Sequence, residues 1–218
     1  LIPEYTGTPI KKIFEQKFHL PCEVENDVNC AALAEYFSGA AKGASSCLCL
    51  TVGTGIGGAF VNHGEIFHGF SGSGCEIGYM VLPDGPFQDI ASASALVRNV
   101  AKRKNLPSSS LSGKKIFALA KSNDTDCIEE INRMASYLGM GIANICYVLN
   151  PEVVVLGGGI MVQKEILYGK IREALDKYLL HSIAENTTLK FAHNQNRAGM
   201  LGAFYHFKAR RKETDLYV

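Results

Sequence analysis

The chain has 218 residues, 47% hydrophobic and 20% charged, an ordinary globular composition with length for one large domain or two small ones. Its 22 basic and 21 acidic residues leave a net charge of +1, which argues against nucleic acid or an anionic membrane as a bulk partner. No apolar run reaches the length of a membrane span and no signal peptide is recognisable, so the expectation is a cytoplasmic protein.

Residues 1–8 read as irregular. A first helix is expected over 9–18, where Ile10, Ile13, Phe14 and Phe18 fall at helical spacing behind Thr8 as cap and Pro9 at the first position. Residues 20–25 are a strand candidate delivering the chain to Asn26, Asp27, Val28 and Asn29, after which 30–37 reads as a strong helix. The small, flexible stretch 39–45 is the expected domain boundary. An apolar run at 46–50 then enters Thr51-Val-Gly-Thr-Gly-Ile-Gly-Gly58, and β-branched and aromatic residues lead from it into the turn Asn62-His63-Gly64. The spacing of Gly53, Gly55 and Gly58 satisfies a dinucleotide fingerprint, but that fingerprint must open a helix, and here the chain runs on as a strand. Two readings stay open: glycines that only tighten a hairpin, and a hairpin whose backbone amides cradle phosphate.

A second glycine-rich loop at 69–79 holds one carboxylate, Glu76. A short strand is expected at 80–82, closed by Pro83-Asp-Gly-Pro86, followed by helices over 92–104 and 114–121 with a serine-rich loop between. The longest periodic segment is 127–149, stopped by Asn150-Pro151; Gly139, Gly141 and Ala143 within it would let another backbone come close. Residues 152–156 form a buried strand ending in Gly157, Gly158 and Gly159, the usual place for a ligand in an open α/β sheet. A helix over 166–179, a strand over 188–191 and a closing helix over 199–212 complete an α/β chain. The seven cysteines, with Cys47 and Cys49 on one strand face, read as reduced small hydrophobes. The six histidines make no metal-binding spacing.

Five blocks in order, Glu25-Asn-Asp-Val-Asn-Cys-Ala-Ala-Leu-Ala-Glu35, Thr51 to Gly58, Glu76-Ile-Gly78, Ala91-Ser-Ala-Ser-Ala-Leu-Val-Arg98 and Leu156-Gly-Gly-Gly159, closely resemble the ROK family of bacterial sugar kinases and sugar-responsive repressors. The resemblance implies the actin-like, ribonuclease H-like kinase fold with two α/β lobes, and ATP and Mg²⁺ as cofactors. It implies that Asn26, Asp27, Glu76 and Tyr79 meet the sugar, with Asp27 as general base. It also implies that Thr54, Gly55 and Gly57 meet phosphate, and that Gly158 and Gly159 meet the nucleoside. From residue type alone Asp27 reads equally as a helix cap.

Two departures matter. Tyr79 stands where many members carry a zinc-binding His, and 83–90 contains no Cys, so no structural zinc is expected. Gln88 and Asp89 stand nearest a second family glutamate, and the sequence does not choose between them. The family's opening strand and Asp-x-Gly-x-Thr loop have no counterpart, so the N-terminal lobe is expected to be incomplete, with a remainder at 1–40, a large lobe at 41–197 and a closing helix at 198–218. The leading expectation is an ATP-dependent hexose kinase acting on a primary hydroxyl, of the glucose or β-glucoside type, with N-acetylmannosamine as a further candidate and a homodimer as its form. The alternative is the sugar-sensing domain of a repressor. A nicotinamide oxidoreductase fails because the residues after Gly58 are strand-like rather than helical.

Overall fold

A computed structural model describes residues 7–215, with side chains to Arg211; the first six residues of the expected irregular start lie outside it. Helix α1 spans Ile10–Phe18 and α2 spans Asp27–Ser38, with no strand between them. Among the described residues, the stretch expected as a strand at 20–25 pairs with no other strand. Pro21 removes a ladder donor there, and the Cys22 N–H donates instead to Glu15 Oε1 at 3.2 Å.

Strands β1 (Ser46–Val52), β2 (Ile56–Asn62) and β3 (Glu65–Ile66) form an antiparallel meander. Next come a two-strand hairpin, β4 (Val81–Leu82) and β5 (Gly85–Pro86), and a short helix α3 (Phe87–Ala91) that sequence spacing does not suggest. Helices α4 (Ala93–Arg103), α5 (Gly113–Lys121) and α6 (Thr125–Leu149) follow, then β6 (Val153–Gly157), α7 (Lys164–Tyr178), α8 (His181–Ala184), β7 (Thr188–Phe191) and α9 (Ala198–Asp215). Helix α6 begins two residues earlier than its apolar spacing suggests, because Asp124 caps it by accepting the Cys127 N–H at 3.1 Å. It ends at Asn150, whose φ of 43° stops the helical path before Pro151.

The main sheet has the order β3-β2-β1-β6-β7, with β6 parallel to β1 and β7 parallel to β6. The alternation of β1 divides two cores. Leu48, Leu50 and Val52 join Val154 and Leu156 against a helical layer that includes Leu138 and Ile142 of α6, Leu167 of α7 and the fully buried Phe87 of α3. Cys47 and Cys49 face the other way, with Val153, Val155, Ala59 and Val61, against Ala32 and Leu33 of α2. Burial pushes the Cys47 thiol up to about 12 and Cys49 well above its ordinary value, so both behave as apolar filler.

Helix α9 lies on α2 at very close range. A Cβ at Gly202 would stand 1.7 Å from the Cys30 carbonyl oxygen. The backbone approach anticipated in α6 occurs at Gly139, which meets the α7 backbone at Leu175; Gly141 instead makes room for the Phe87 ring. The turn at 39–45 joins elements that share one core, since Ala41 and Ala44 within it pack with Ala32 and Leu33 before it and Cys47 after it. Among the described residues no helix is long and apolar enough to cross a membrane.

Candidate active site

Parallel pairing aligns Thr51 of β1 with Gly157 of β6, so both strands end at one level. Beyond those ends opens a cleft of ≈ 810 Å³. One face of α2 supplies Asp27, Val28, Ala31 and Glu35 to its wall; Gly157 to Gly159, Lys164 and the segment from Phe191 to Gly199 supply much of the rest. This is where the switch of chain direction in an open sheet leaves room for a ligand.

The first turn of α2 decides what Asp27 is free to do. Asn26 is the cap: its Oδ1 accepts the N–H groups of Val28 at 2.8 Å and Asn29 at 3.2 Å. Asp27 is therefore the first helical residue, exposed on the cleft, with Oδ1 held 2.9 Å from the Val28 N–H. Of the two readings open from residue type, capping belongs to its neighbour.

The glycine hairpin proves to be two kinds of glycine. None of Gly53, Gly55, Gly57 or Gly58 has positive φ, so none is required for handedness. Protein groups crowd Gly57 and Gly58: a Cβ at Gly57 would stand 2.7 Å from Val28 Cγ2, and one at Gly58 would stand 2.6 Å from Ile77. These two let α2 and the Glu76 turn close on opposite faces of β2. Gly53 has open space around it. Gly55 faces only the Gln88 side chain, whose Oε1 would stand 2.8 Å from a Cβ placed there. The Gly53 carbonyl accepts the N–H of Ala93, the first residue of α4, which braces the loop from beneath. Thr54 is exposed at the tip.

The two glycines after β6 divide the same way. Gly158 has φ 105°, and a Cβ there would stand 2.3 Å from the Val52 carbonyl oxygen, so the fold itself demands glycine. Gly159 also lines the cleft, and a Cβ there would have nothing within 4 Å.

Asp27, Gly158 and Gly159 thus share the cleft. Asn26, Glu76, Tyr79, Thr54, Gly55 and Gly57 are not in its wall. Gly57 sits directly behind Val28, and Glu76 is exposed where the turn Ile77–Tyr79 begins over Gly58. Tyr79 is 68% exposed and its ring packs into neither core. Direction separates Gln88 from Asp89. Gln88 points at Gly55 and Gly78, whereas Asp89 uses its main-chain oxygen to accept from Arg98.

Two carboxylates at the ends of the block from Glu25 to Glu35 carry no distinguishing pattern in sequence, yet the fold uses both. Glu35 is 1% exposed and accepts the N–H groups of Ala40, His193 and Asn194 at 2.8, 3.0 and 2.7 Å, which fixes the cleft's far wall to α2. Glu25, with a side chain 8% exposed, accepts from the Asn26 N–H at 2.8 Å, Asn29 Nδ2 at 2.9 Å and His68 Nε2 at 2.7 Å, and has His206 Nδ1 at 3.5 Å. Burial pulls its pKa upward, but the hydrogen bonds from Asn29, His68 and Asn26 outweigh it and hold the carboxyl below the usual glutamate value. Among the described residues no cluster of three His, Cys, Asp or Glu could hold a metal by itself.

Residues 3–210 match the ROK family. An uncharacterised protein of Clostridium perfringens is 54% identical, over 95% of this chain and 70% of that one. A glucokinase of Halalkalibacterium halodurans is 33% identical over 89% of this chain and 66% of its own length, and a β-glucoside kinase of Listeria monocytogenes is 31% identical over 94% and 71%. Among solved structures, the ROK hexokinase of Thermus thermophilus superposes with a TM-score of 0.85 at 33% identity, covering 93% of this chain and 71% of that one. A ROK glucokinase of Streptomyces griseus in complex with glucose and AMPPNP gives 0.79 at 28% identity, covering 89% and 70%. A ROK transcriptional regulator homologous to the E. coli MLC protein gives 0.81 at 25% identity, covering 90% of this chain and 54% of that one.

Proposed function

The chain belongs to the ROK family and is of its sugar-kinase kind, and from that premise we propose that it transfers the γ-phosphate of ATP to the primary hydroxyl of a hexose. The observation that carries the reading is Asp27, released from capping by Asn26, standing in one cleft with Gly158 and Gly159. Asn26 and Asp27 take the sugar at the N-terminus of α2, with Glu76 as a further hydroxyl acceptor from the neighbouring turn. Asp27 orients the attacking hydroxyl and accepts its proton late, which suits a loose transition state that needs positioning more than deprotonation. Gly159 leaves room for a flat nucleoside, and the N–H groups of Thr54 and Gly55 at the hairpin tip would meet phosphate, the Gly53 N–H donating to the Gly55 carbonyl at 3.0 Å and so holding the tip in shape.

Mg²⁺ would come in with the nucleotide, held by its phosphates and by water rather than by a protein cage. In the cleft wall Asp27 is given to the attacking hydroxyl and Glu35 is engaged by three N–H groups. The ion would neutralise charge on the transferred phosphate.

Glucose and β-glucosides come first as substrates because relatives bear those names, with N-acetylmannosamine behind them. The regulator-like alternative has a structural neighbour, but a sensor needs no cradle for phosphate. A coupled ATP-consumption assay of the intact natural polypeptide across hexoses and N-acetylhexosamines tests the reading. Turnover on glucose or a β-glucoside is expected. Sugar binding without ATP consumption for any sugar would move the protein to the sensor class.

A further inference from the structure

Three separate stretches of chain meet at one carboxylate outside the cleft. Glu25 immediately precedes the Asn26–Asp27 pair and binds the first turn of α2 twice through Oε1, at the Asn26 N–H and Asn29 Nδ2. Its other oxygen, Oε2, takes His68 Nε2 at 2.7 Å and lies 3.5 Å from His206 Nδ1 on α9. An ionised carboxylate only accepts, so the His68 proton in this contact sits on Nε2. His68 opens the glycine-rich loop that ends at Glu76, and the Gly74 N–H donating to the His68 carbonyl at 2.8 Å closes that loop on itself. Little else restrains the stretch. Gly69 and Gly72 have positive φ, and His68, Gly69, Phe70, Ser71 and Gly72 are exposed, the Phe70 ring wholly so. On its far side Cys75 is held in a left-handed conformation, φ 63°, against Gly58.

We infer that Glu25 is a positioning residue: through His68 it anchors the Glu76 loop to the N-terminus of α2, and so fixes the spacing between Asp27 on the cleft wall and Glu76 on the turn beside it. A carboxylate that bridges the helix carrying Asp27 and the loop carrying Glu76 lets neither move without straining the other. Breaking the bridge frees the loop to sample positions in which Glu76 cannot reach sugar, so sugar affinity falls while the nucleotide side is untouched. The kinetic consequence rests on the sugar-kinase reading above; the ordering of the loop does not.

The test uses the intact enzyme with Glu25→Gln, His68→Ala, His68→Gln and the double variant Glu25→Gln/His68→Ala. A hydrogen bond to a charged group corresponds to a rise of about tenfold or more in KM for glucose, with KM for ATP within about twofold. His68→Gln, which restores an N–H donor, should recover part of the loss, and the double variant should be no worse than the worse single one. Equal rises in both KM values, or additive single effects, would overturn the inference. Backbone hydrogen exchange on ligand-free protein decides independently: Glu25→Gln should speed exchange over residues 69–76 and leave β1 and α6 protected. Unchanged exchange there overturns the anchoring role, and does so even if the protein phosphorylates no sugar. Should Glu25→Gln fail to fold, the exposed His68→Ala carries both measurements.

Discussion

Asn26 and Asp27 are adjacent and chemically alike, yet the structure gives them separable jobs, and a pair of substitutions can pull those jobs apart. Asn26 Oδ1 satisfies two N–H groups that α2 would otherwise leave unpaired. Asn26→Ala should therefore cost about 1 kcal/mol, within a range of roughly 0.5–2 for lost caps. In a protein of this size that is a fall in Tm of about 2–4 °C. Asp27→Asn keeps an oxygen for the Val28 N–H and loses only a negative charge at the helix start, about 0.3–1 kcal/mol at an exposed site. Its Tm should drop by about half as much, or less. Activity should order the other way: removing the general base at Asp27 should lower kcat by about 10²–10⁴-fold with nucleotide binding intact. Differential scanning fluorimetry and the coupled ATP assay read the two effects on the same preparations. An Asp27→Asn enzyme with kcat within about threefold of the parent would remove Asp27 from the chemistry. An Asp27→Asn protein less stable than Asn26→Ala would return the capping role to Asp27.

Three further outcomes are expected. Gly202→Ala drives a methyl into the Cys30 carbonyl, a backbone atom that cannot swing aside, and should cost on the order of 3 kcal/mol, read as a lowered Tm; an unchanged Tm would mean α9 does not sit on α2 as described. Gly159→Ala meets no protein atom and φ there is not positive, so Tm should hold or rise slightly, while KM for ATP rises about tenfold as the methyl fills the cleft; an unaltered KM would place the nucleotide elsewhere. The Glu25 carboxyl titrates below the ordinary glutamate value of 4.5, so the folded state binds its proton less readily than the unfolded chain. Its stabilisation is complete above that ordinary value and is lost as pH falls through the lower folded one. Acid-denaturation curves should therefore show the Glu25→Gln variant losing less stability than the parent below about pH 4.5; parallel curves would contradict the shift.

Order in sequence is enough for the family, the α/β class and nearly every long element. Those depend on local periodicity and on backbone-level glycine patterns that a single chain displays openly. Residues 20–25 mislead because β-like composition says nothing about whether a partner edge is available, and Pro21 weakens any ladder there. The α3 helix escapes notice because five residues hold too little period to register, and Phe87 defines it only by entering a core. Glycine count marks the cleft end of the sheet, but it cannot separate Gly57, Gly58 and Gly158, where protein atoms crowd in, from Gly53 and Gly159, where nothing does.

Amino-acid order by itself determined every choice that neighbours along the chain can make. That covers helices, turns, the cap-competent pair at 26–27 and glycine where the backbone must be bare. Left to the folded molecule was every choice made by residues distant in sequence: Gln88 rather than Asp89 turned toward Gly55, Glu35 reaching His193 and Asn194, and Glu25 reaching His68 and His206. A carboxylate's role depends on which donors surround it, and those donors arrive only when the sheet brings β1, β2, β6 and the ends of α2 and α9 to one place.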